Sequence, residues 1–435
     1  MAQSSEAHAR MSWDRYGHLK PELGLAEAAF GRICPFAPSA RNEDQIAESL
    51  YAGALNRDSL IGRFQAAYVG HVDEGDFRTS GSSGGMASWM AVELLRRCVV
   101  DGIAHVRPAD PRKDGRFFRY AISRNEAEIR SGACSRYYPV DLSEVLQTIR
   151  HTPGRYAVVG IPCFIKAVNL LIAEDAVIRQ RIVCTLGLFC GHMKSARFVD
   201  SMAWQAGVNP SAVRAIDYRV KTPGRPASWY RARLELVDGN RREKDWWDLV
   251  DGDWGAGFFQ NPACNYCDDV VAETADIAFG DAWIEPYSSD ARGTNVVVVR
   301  KPELDGILRE AAISNRIRLA PVDAQFVRQT QAAGLRHRRE GLAYRLQWKP
   351  PSIPISKRVG KSAAHLGARR KLVYRARYLI ARESQLTFAL AKNIHLPGLY
   401  LWWAKAAVSL YQALAYSRGA AGRLFDMLEK ICGRG

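Results

Sequence analysis

Four of the nine cysteines stand where they could act together as metal ligands. Cys264 and Cys267 lie in the stretch CNYC, a pair that supplies half of a tetrahedral site. Cys163 and Cys190 each follow an apolar stretch, YAVVGIP or IVCTLGLF, that is typical of a buried strand. If these strands are parallel neighbours, both thiols lie at one edge of the sheet. Four thiolates suit zinc or an iron–sulfur cluster, and spacing does not separate the two.

A second candidate site is a glycine-rich stretch that directly precedes a predicted helix. Its residues are Gly81, Ser82, Ser83, Gly84 and Gly85. Free backbone N–H groups at a helix N-terminus bind phosphate, and glycines allow the backbone to approach it closely. The stretch has neither the G-x-G-x-x-G nor the Walker pattern. It is therefore either a phosphate-binding loop, for which a flavin dinucleotide is a plausible ligand, or a flexible surface turn.

The elements around these residues alternate between strands and helices. Residues 156–162 and 182–191 have the pattern of buried strands, and helical patterns follow each, over 163–181 and 192–207. This order predicts a parallel strand pair and an α/β core. Longer strands over 213–247 predict an antiparallel insertion. The predicted fold is thus α/β, with a mixed sheet core, parallel β-α-β units, this insertion and a helical basic C-terminal extension.

Composition is typical of a cytoplasmic globular protein. The 435 residues exceed the usual size of one domain, which favours two domains or one domain with an appendage. Hydrophobic residues make up 47% and charged residues 24%, so the chain is not of the disordered class. The first twenty residues have no apolar run and therefore predict no secretory signal. Nine cysteines then indicate metal ligands or buried thiols rather than disulfides.

Most of the net charge of +16 lies near the C-terminus. Residues 351–435 carry 15 lysines and arginines against 3 acidic residues, whereas residues 1–350 carry 46 against 42. No nucleic-acid module is recognisable, so an anionic membrane surface is the better candidate partner. Residues 396–417 form the most apolar stretch. On a helix they would place Lys405, Ser409, Gln412 and Tyr416 on one face and Trp403, Ala406, Leu410 and Leu414 on the other. This amphipathic helix lies either in a membrane interface or against the body of the protein.

Taken together, these stretches resemble the coenzyme F-420 hydrogenase/dehydrogenase beta-subunit family. The matching pieces cover about residues 32–320 and occur in the family's order: RICPF, GSSGGMASWMAVELL, VDGIAHV, CSRYYPV, VGIPCFIKA, GLFCGHMKS, DYR, CNYCDD, ADIAFGDAW and GTNVVVVR. The resemblance implies a flavoprotein with FAD and a 4Fe-4S cluster. Such a protein passes electrons between a reduced carrier and a substrate bound at the flavin.

The resemblance also assigns the site residues. The cluster ligands correspond to Cys163, Cys190, Cys264 and Cys267. The FAD-binding residues correspond to Gly81, Ser82, Ser83, Gly84, Gly85, Ser135, Arg136, Tyr137, Asp281, Thr294 and Asn295. Arg136 could meet a phosphate bidentately, and Asp281 either contacts the flavin or only caps a turn. Nothing ranks Asp281, Lys166 and His192 as proton donors, so the catalytic residue is unknown.

The chain departs from the family pattern at its N-terminus. Many relatives begin with a ferredoxin-like segment rich in cysteine pairs, of which only Cys34 remains. The electron donor is therefore expected to be a separate protein, or a hydride donor such as a reduced deazaflavin. Cys134 also stands where relatives often have glycine. The shortened form looks like the branch associated with bacterial exopolysaccharide synthesis.

The expected organisation has four parts. An N-terminal remnant (1–75) precedes the FAD and cluster core (76–325), a linker (326–356) and a basic amphipathic helical tail (357–435). The expected function is that of an FAD- and 4Fe-4S-dependent oxidoreductase. The alternative is a zinc-stabilised, non-redox adaptor at a membrane-bound glycan assembly. A nucleotide-sugar transferase is a third reading, but it would have no use for four cysteines at a sheet edge.

Overall fold

The computed structural model describes residues 11–22, 28–351, 355 and 357–432. Its strands are, in chain order, β1 Met11–Trp13, β2 Leu19–Pro21, β3 Asn56–Asp58, β4 Gly62–Phe64, β5 Ala66–Val72, β6 Gly102–Pro108, β7 Phe118–Ser123, β8 Tyr156–Gly160, β9 Ile182–Leu188, β10 Val213–Val220, β11 Arg231–Leu236, β12 Arg241–Asp245, β13 Ile277–Asp281, β14 Asn295–Val299 and β15 Ile317–Pro321.

Helices flank these strands and form the whole C-terminal region that the structure describes. The α-helices are α1 Ala28–Ile33, α2 Glu43–Tyr51, α3 Phe77–Ser80, α4 Met86–Arg96, α5 Pro111–Asp114, α6 Glu126–Ser131, α7 Ser143–His151, α8 Pro162–Glu174, α9 Ala176–Arg181, α10 Arg197–Gln205, α11 Pro302–Ile313, α12 Ala324–Thr330, α13 Ala332–Arg338, α14 Glu340–Trp348, α15 Ala368–Asn393, α16 Pro397–Tyr416 and α17 Gly419–Cys432. Short 3₁₀ helices span Pro210–Ala212, Trp246–Asp248 and Pro262–Tyr266.

The main sheet is mixed and has, within the described residues, eight strands in the order β15-β5-β14-β13-β9-β8-β6-β7. Its centre is parallel: β6 pairs with β8, β8 with β9, and β9 with β13. The remaining neighbours are antiparallel. The predicted α/β fold with a parallel β8–β9 pair is therefore confirmed.

Helices cover both faces of this sheet because its central strands are apolar on both sides. Trp89 and Met90 of α4 share a core with Leu186 of β9 and Val297 of β14. Val168 and Leu171 of α8 belong to a different core, with Val158 of β8. The sheet is thus a rigid middle layer, and it fixes the positions of the loops at the carboxyl ends of β8, β9 and β13.

Several predicted boundaries differ from the structure. The helix predicted over 163–181 is broken at Asp175, whose carboxylate caps α9 by accepting from Val177 and Ile178 N–H groups. The helix predicted after Cys190 begins only at Arg197, because Lys194 instead forms a β-bridge with Gln260. Strand β5 belongs to the main sheet, so the sheet begins before residue 76. The predicted linker 326–356 largely consists of α12, α13 and α14; its residues 352–354 and 356 lie outside the described residues.

The predicted antiparallel insertion is the three-stranded sheet β10-β11-β12. It shares a core with the C-terminal helices: Tyr218 and Leu234 of the insertion cluster with Phe388 of α15 and Tyr400 of α16. The helices α15 and α16 therefore form a hairpin that packs on the body through one face.

The face of α16 that packs agrees only in part with the predicted apolar face: Leu414 is buried and Trp403 packs against the core, but the other two predicted residues do not. Its buried residues are Tyr400, Ala404, Tyr411, Ala413 and Leu414. Leu410 is 54% exposed, and Ala406 is also exposed, although the sequence pattern places both on the apolar face. The buried Tyr400, Ala404, Tyr411 and Ala413 belong to neither of the two predicted faces. Within the described residues, no helix has the length and apolarity needed to span a membrane.

Candidate functional site

The four candidate cysteines come from three loops at one edge of the main sheet. Cys163 is the second residue of α8, directly after β8. Cys190 follows β9, and its N–H donates to the Val270 carbonyl at 2.9 Å. Cys264 lies in the 3₁₀ helix Pro262–Tyr266, and Cys267 is its C-cap. Parallel strands with adjacent carboxyl ends are what bring the first two loops together.

The thiols of these four cysteines lie close enough to act on one another electrostatically. The pKa of the Cys163 thiol is raised well above its usual value, first by burial and then by Cys267, Cys190 and Cys264. Burial, Cys264 and Cys267 also raise the pKa of Cys190, against the effect of Arg338. Among the described residues, no three His, Cys, Asp or Glu side chains are arranged around the position of a single metal ion.

Backbone contacts hold two of the cysteine loops together. The Met193 N–H donates to Cys264 Sγ at 3.4 Å, and the Asn261 N–H donates to the Met193 carbonyl at 2.8 Å. Lys194 and Gln260 form the β-bridge between the same two segments. The separation of the loops that carry Cys190 and Cys264 is therefore fixed by the protein.

Arginines from the helices that follow the sheet surround this region. Arg338 of α13 donates to the Cys264 carbonyl at 2.9 Å and to the Gly191 carbonyl at 2.5 Å. Arg345 of α14 donates to the Asn265 carbonyl at 2.9 Å. Each of these arginines is 1% exposed. Neither forms an ion pair with a carboxylate in the part of the chain that the structure describes, so an anion must balance them from elsewhere.

A buried ion-pair network lies on the other side of the CNYC loop. Arg358 reaches Glu273 with N–O distances of 2.6 and 2.9 Å, and it also contacts Asp268 at 3.4 Å. Lys166 pairs with Glu43 at 3.1 Å, with both side chains buried. Lys166 was one of three candidate proton donors, and here it has a carboxylate partner within the core.

The glycine-rich residues form the turn between α3 and α4, as the sequence predicts. Gly85 is the N-cap of α4 and has φ of 83°, in the left-handed region that favours glycine. A Cβ atom on Gly84 would lie 2.8 Å from Asn295 Oδ1 and 2.9 Å from the Gly70 carbonyl oxygen. Glycine at these positions thus has a structural cause, whether or not the loop binds phosphate.

The other predicted flavin residues converge on the same turn. Asn295 Oδ1 accepts from the Met86 N–H at 3.1 Å, and Ser83 Oγ donates to the Thr294 carbonyl at 3.0 Å. From the third segment, the Ser135 N–H donates to Ser82 Oγ at 2.7 Å. Segments that are far apart in the chain therefore meet at the N-terminus of α4.

Lys221, which sequence reasoning missed, ties this turn to its surroundings. Its Nζ atom donates to the carbonyls of Arg78, Ser83 and Arg292 at 2.5, 2.8 and 2.6 Å. Burial, with the nearby charges of Arg219 and Arg78, lowers the pKa of Lys221 to about 8. Nothing in the stretch VKTPGRP distinguishes this lysine from one on the surface.

Arg136 and Asp281 both make contacts within the protein. Arg136 donates to the Ala133 carbonyl at 2.8 Å and lies over the Phe118 ring. Asp281 pairs with Arg219 at 2.9 Å. Burial alone would lower the pKa of Arg219. The nearby carboxylate of Asp281 acts in the opposite direction, and the net result is a raised pKa. The pairing gives Asp281 a role in charge balance in addition to the predicted contact with the flavin.

Three buried polar atoms near these residues have no hydrogen-bond partner within the described residues: Arg136 Nε, Tyr218 Oη and Arg219 Nε. Buried polar groups are rarely left without a partner, because desolvation is costly. Arg136 is itself a predicted flavin contact, and Arg219 is the ion-pair partner of another, Asp281. The residues present therefore fit a polar ligand such as FAD.

An aromatic residue that the sequence did not single out connects the two regions. The Trp254 ring lies 4.7 Å from that of Tyr137 and 4.3 Å from that of His192, on which it stacks. Tyr137 belongs to the predicted flavin segment, and His192 is two residues from Cys190. Burial lowers the pKa of His192 well below its usual value, so its ring is neutral.

Cys134 adopts a glycine-like conformation, with φ of 85°. A side chain in this region of φ is strained, so glycine would suit the position better. The Cys134 Sγ atom lies 3.1 Å from the Ser80 carbonyl oxygen, at the end of α3. The cysteine is therefore accommodated within the same network as the glycine-rich turn.

Two family models match the chain. Both describe the beta subunit of coenzyme F420 hydrogenase/dehydrogenase: residues 67–147 match the model of its N-terminal part, and residues 154–325 match the model of its C-terminal part. Together they cover more than half of the chain, which belongs to the coenzyme F420 hydrogenase/dehydrogenase beta-subunit family. Membership supports the role of a redox enzyme subunit in electron transfer. No curated protein matches the chain.

A solved structure supports the same fold. The chain is similar to one in the xenon-derivatized F420-reducing NiFe hydrogenase complex from Methanosarcina barkeri. The two share 16% sequence identity with a TM-score of 0.52, over 70% of this chain and 99% of that one. At this identity the likeness concerns the fold. Helices α13 to α17 lie beyond the residues that the family models match.

Proposed function

We propose that this protein is an FAD- and 4Fe-4S-dependent oxidoreductase that passes electrons between a reduced carrier and a substrate. One observation carries the proposal: four cysteines from three loops lie at one edge of the sheet, around a buried arginine that contacts two of these loops and has no carboxylate partner among the described residues. Four thiolates bound to a cluster would supply the missing negative charge. The family match supports the redox role.

The residues divide into two sets. Cys163, Cys190, Cys264 and Cys267 would hold the cluster. The turn Gly81–Gly85, together with Ser135, Arg136, Tyr137, Asp281, Thr294 and Asn295, would hold FAD. When bound, FAD and the cluster together convert between two-electron and one-electron transfer. The protein's own part is to fix the two sites relative to one another, through the main sheet and through the Tyr137–Trp254–His192 contacts.

The electron donor in this proposal is a separate protein or a reduced deazaflavin. Cys34 is the single cysteine of the N-terminal segment, and one thiol cannot hold a cluster. A one-electron donor that docks from outside would supply the electrons in its place. The substrate class and the link to exopolysaccharide synthesis stay predictions that rest on the resemblance alone.

The alternative is a zinc-stabilised adaptor without redox activity. Against it stands the convergence of Ser83, Ser135, Thr294 and Asn295 on the glycine-rich turn. A site for a dinucleotide would have no purpose in such an adaptor.

Anaerobic reduction of the flavin tests the proposal. Purified protein is mixed with reduced deazaflavin, or with a reduced ferredoxin, and its visible absorption is followed. We expect flavin bleaching with one of these donors. Cys264→Ser should lose iron and respond no longer to the one-electron donor, whereas Cys98→Ser, at an exposed site, should behave as the wild type. Protein that carries flavin but is reduced by neither donor would contradict the proposed function.

We also propose that the protein is cytoplasmic and that the α15–α16 hairpin attaches it to an anionic membrane surface. Both helices bury their inner faces in one core, so their outer faces point away from the body. The outer face of α15 carries Leu372, Leu379 and Leu390, which are 44%, 46% and 52% exposed. That of α16 carries Trp402, which is 73% exposed. A merely solvated face would be polar at such positions.

Basic residues share this outer face. Arg375 and Arg382 alternate with the leucines of α15, and Lys405 lies one turn from Trp402 on α16. Each basic residue near an anionic bilayer contributes about 1 kcal/mol of binding. Apolar and aromatic side chains beside them would enter the headgroup region, as in helices that lie in the membrane interface.

Sedimentation with vesicles tests this attachment. Vesicles with phosphatidylglycerol should bind the protein at low salt, and purely zwitterionic vesicles should not. The double variant Leu379→Ser and Trp402→Ser should weaken binding about tenfold or more. Ile313→Ser, at an equally exposed position on α11 (83% exposed), is the control. No salt-sensitive binding by the wild type would rule out the membrane surface.

A further inference from the structure

The guanidinium of Arg338 connects two of the cysteine loops directly. It donates to the carbonyls of Cys264 and Cys267 at 2.9 and 3.5 Å and to that of Gly191 at 2.5 Å. Gly191 follows Cys190 in the chain. One side chain therefore contacts the backbone at or next to three of the four proposed ligands. A fork of N–H donors can do this, and a lysine ammonium cannot reproduce its geometry.

The charge of Arg338 is enclosed together with the four thiols. The residue is 1% exposed and forms no ion pair with a carboxylate of the described residues. Its hydrogen bonds place it against the loops that carry Cys190, Cys264 and Cys267. A cluster held by these cysteines would therefore lie close to this buried cation.

Arg345 provides a contrast within the same region. It is buried to the same degree and donates to the carbonyl of Asn265, between Cys264 and Cys267. Its other hydrogen bonds are with His337. Both arginines contact the CNYC loop, but only Arg338 also contacts the loop that carries Cys190.

We propose that Arg338 is a positioning residue for the iron–sulfur cluster, which fixes the spacing of the cysteine loops and makes the cluster easier to reduce. This inference rests on the proposed function. A reduced cluster carries one more negative charge than an oxidised one, and a nearby fixed cation stabilises the more negative state. Charge and hydrogen bonding around a cluster are known to set its potential. Arg338 lies beyond residue 325, where the family match ends.

The test is a reductive titration of anaerobically purified holoprotein, with the cluster followed by electron paramagnetic resonance. Dithionite supplies the electrons. We expect Arg338→Met to shift the cluster potential to a more negative value than that of the wild type. Arg338→Lys keeps the charge and should shift it much less. Arg345→Met removes an equally buried arginine from the same loop and should leave the potential close to that of the wild type.

Iron release separates the positioning role from the effect of charge. With a chelator present, both Arg338→Met and Arg338→Lys should lose iron several-fold faster than the wild type, because neither retains the fork of donors. If Arg338→Met does not retain a cluster, the lysine variant still tests the positioning role. An unchanged iron-release rate in the lysine variant would overturn it.

Two results would overturn the proposal that the charge of Arg338 makes the cluster easier to reduce. In one, Arg338→Met retains its iron and has the same cluster potential as the wild type. In the other, Arg338→Lys and Arg338→Met shift the cluster potential by the same amount. If Arg345→Met shifts the potential as far as Arg338→Met, the effect is general to the loop and the assignment to Arg338 is wrong. Failure of the proposed function has a different signature, since wild-type protein would then contain no iron at all.

Discussion

The glycine-turn region and the cysteine region both contain buried arginines, but they differ in what balances them. In the first, Arg78 pairs with Asp290 at 2.8 Å and Arg219 with Asp281 at 2.9 Å. In the second, Arg338 and Arg345 form no ion pair with a carboxylate in the part of the chain that the structure describes. The two arginines of the first region are thus paired without a ligand, whereas those of the second would gain a counter-charge only from a bound group such as the cluster.

This difference predicts how much each cofactor contributes to the stability of the folded protein. A site that is balanced by its own side chains is preformed, and its ligand adds binding energy to a fold that already exists. A site with an unbalanced buried cation is destabilised until the anion arrives. We therefore expect the cluster to be part of the folded structure and FAD to be a more readily exchanged ligand.

Removal of each cofactor should give the largest contrast. Cluster removal by a chelator under reducing conditions should lower the free energy of unfolding by about 3–5 kcal/mol, the usual cost of leaving a buried charge unpaired. Removal of FAD should cost clearly less. Denaturant unfolding of the holo, iron-free and flavin-free forms measures both. Equal losses would contradict the distinction between the two regions.

Removing a carboxylate from the glycine-turn region should leave a buried arginine unpaired there, as in the cysteine region. Asp281→Asn leaves the guanidinium of Arg219 without its carboxylate. Because the Asp281 side chain is 20% exposed, we expect a loss at the lower end of the range for a broken buried pair, about 3 kcal/mol, and a lower flavin content, with iron unchanged. Asp238→Asn, in an exposed turn, is the matched control. Loss of iron together with flavin would show that Asp281 supports both regions.

A smaller effect is expected from filling the space at the glycine turn. In Gly84→Ala, the new Cβ meets Asn295 and the Gly70 carbonyl at under 3.0 Å. These are largely backbone contacts that cannot relax freely, so a cost of about 1–3 kcal/mol and weaker FAD binding should follow. Gly306→Ala, on α11 with nothing near its Cβ, should be neutral or slightly stabilising. Unaltered FAD affinity in Gly84→Ala would separate the turn from the flavin site.

The smallest predicted effect concerns pH. Because the pKa of Lys221 falls from 10.5 to about 8 on folding, the unfolded chain binds more protons than the folded one between these values. The contribution of Lys221 to the free energy of unfolding should therefore rise with pH from about 8 to 10.5 and be flat below 8. Comparison of the wild type with Lys221→Met across this range measures it, with Lys113→Met as an exposed control. If the free energy of unfolding depends on pH in the same way in the wild type and in Lys221→Met, the contribution assigned to Lys221 is wrong.

The sheet and the cysteine positions could largely be predicted from the sequence. Apolar runs such as NVVVVR leave little alternative to a buried strand, and β-α-β order fixes parallel pairing within narrow limits. Because the carboxyl ends of parallel strands share an edge, the pattern alone was enough to place Cys163 and Cys190 together. The start of α4 at Met86 also followed from the glycines that precede it.

Contacts made across long separations could not be predicted in this way, because no local pattern encodes them. Arg338 contacts residues more than 70 positions away, and Trp254 connects two predicted sites from within a segment that carries no motif. Residues 326–356 resemble a linker because prolines at their end indicate a break, although three helices precede those prolines. In α16, the predicted faces left out Tyr400 and Tyr411, which are core residues.

The most direct test of the proposed function is chemical analysis of anaerobically purified protein, with iron, sulfide, zinc and flavin measured on one sample alongside its absorption and electron paramagnetic resonance spectra. We expect about four irons and four sulfides per chain, one flavin, and a cluster signal on reduction that is lost in Cys264→Ser. A colourless protein that contains one zinc and no flavin would contradict the proposed function and would favour the adaptor.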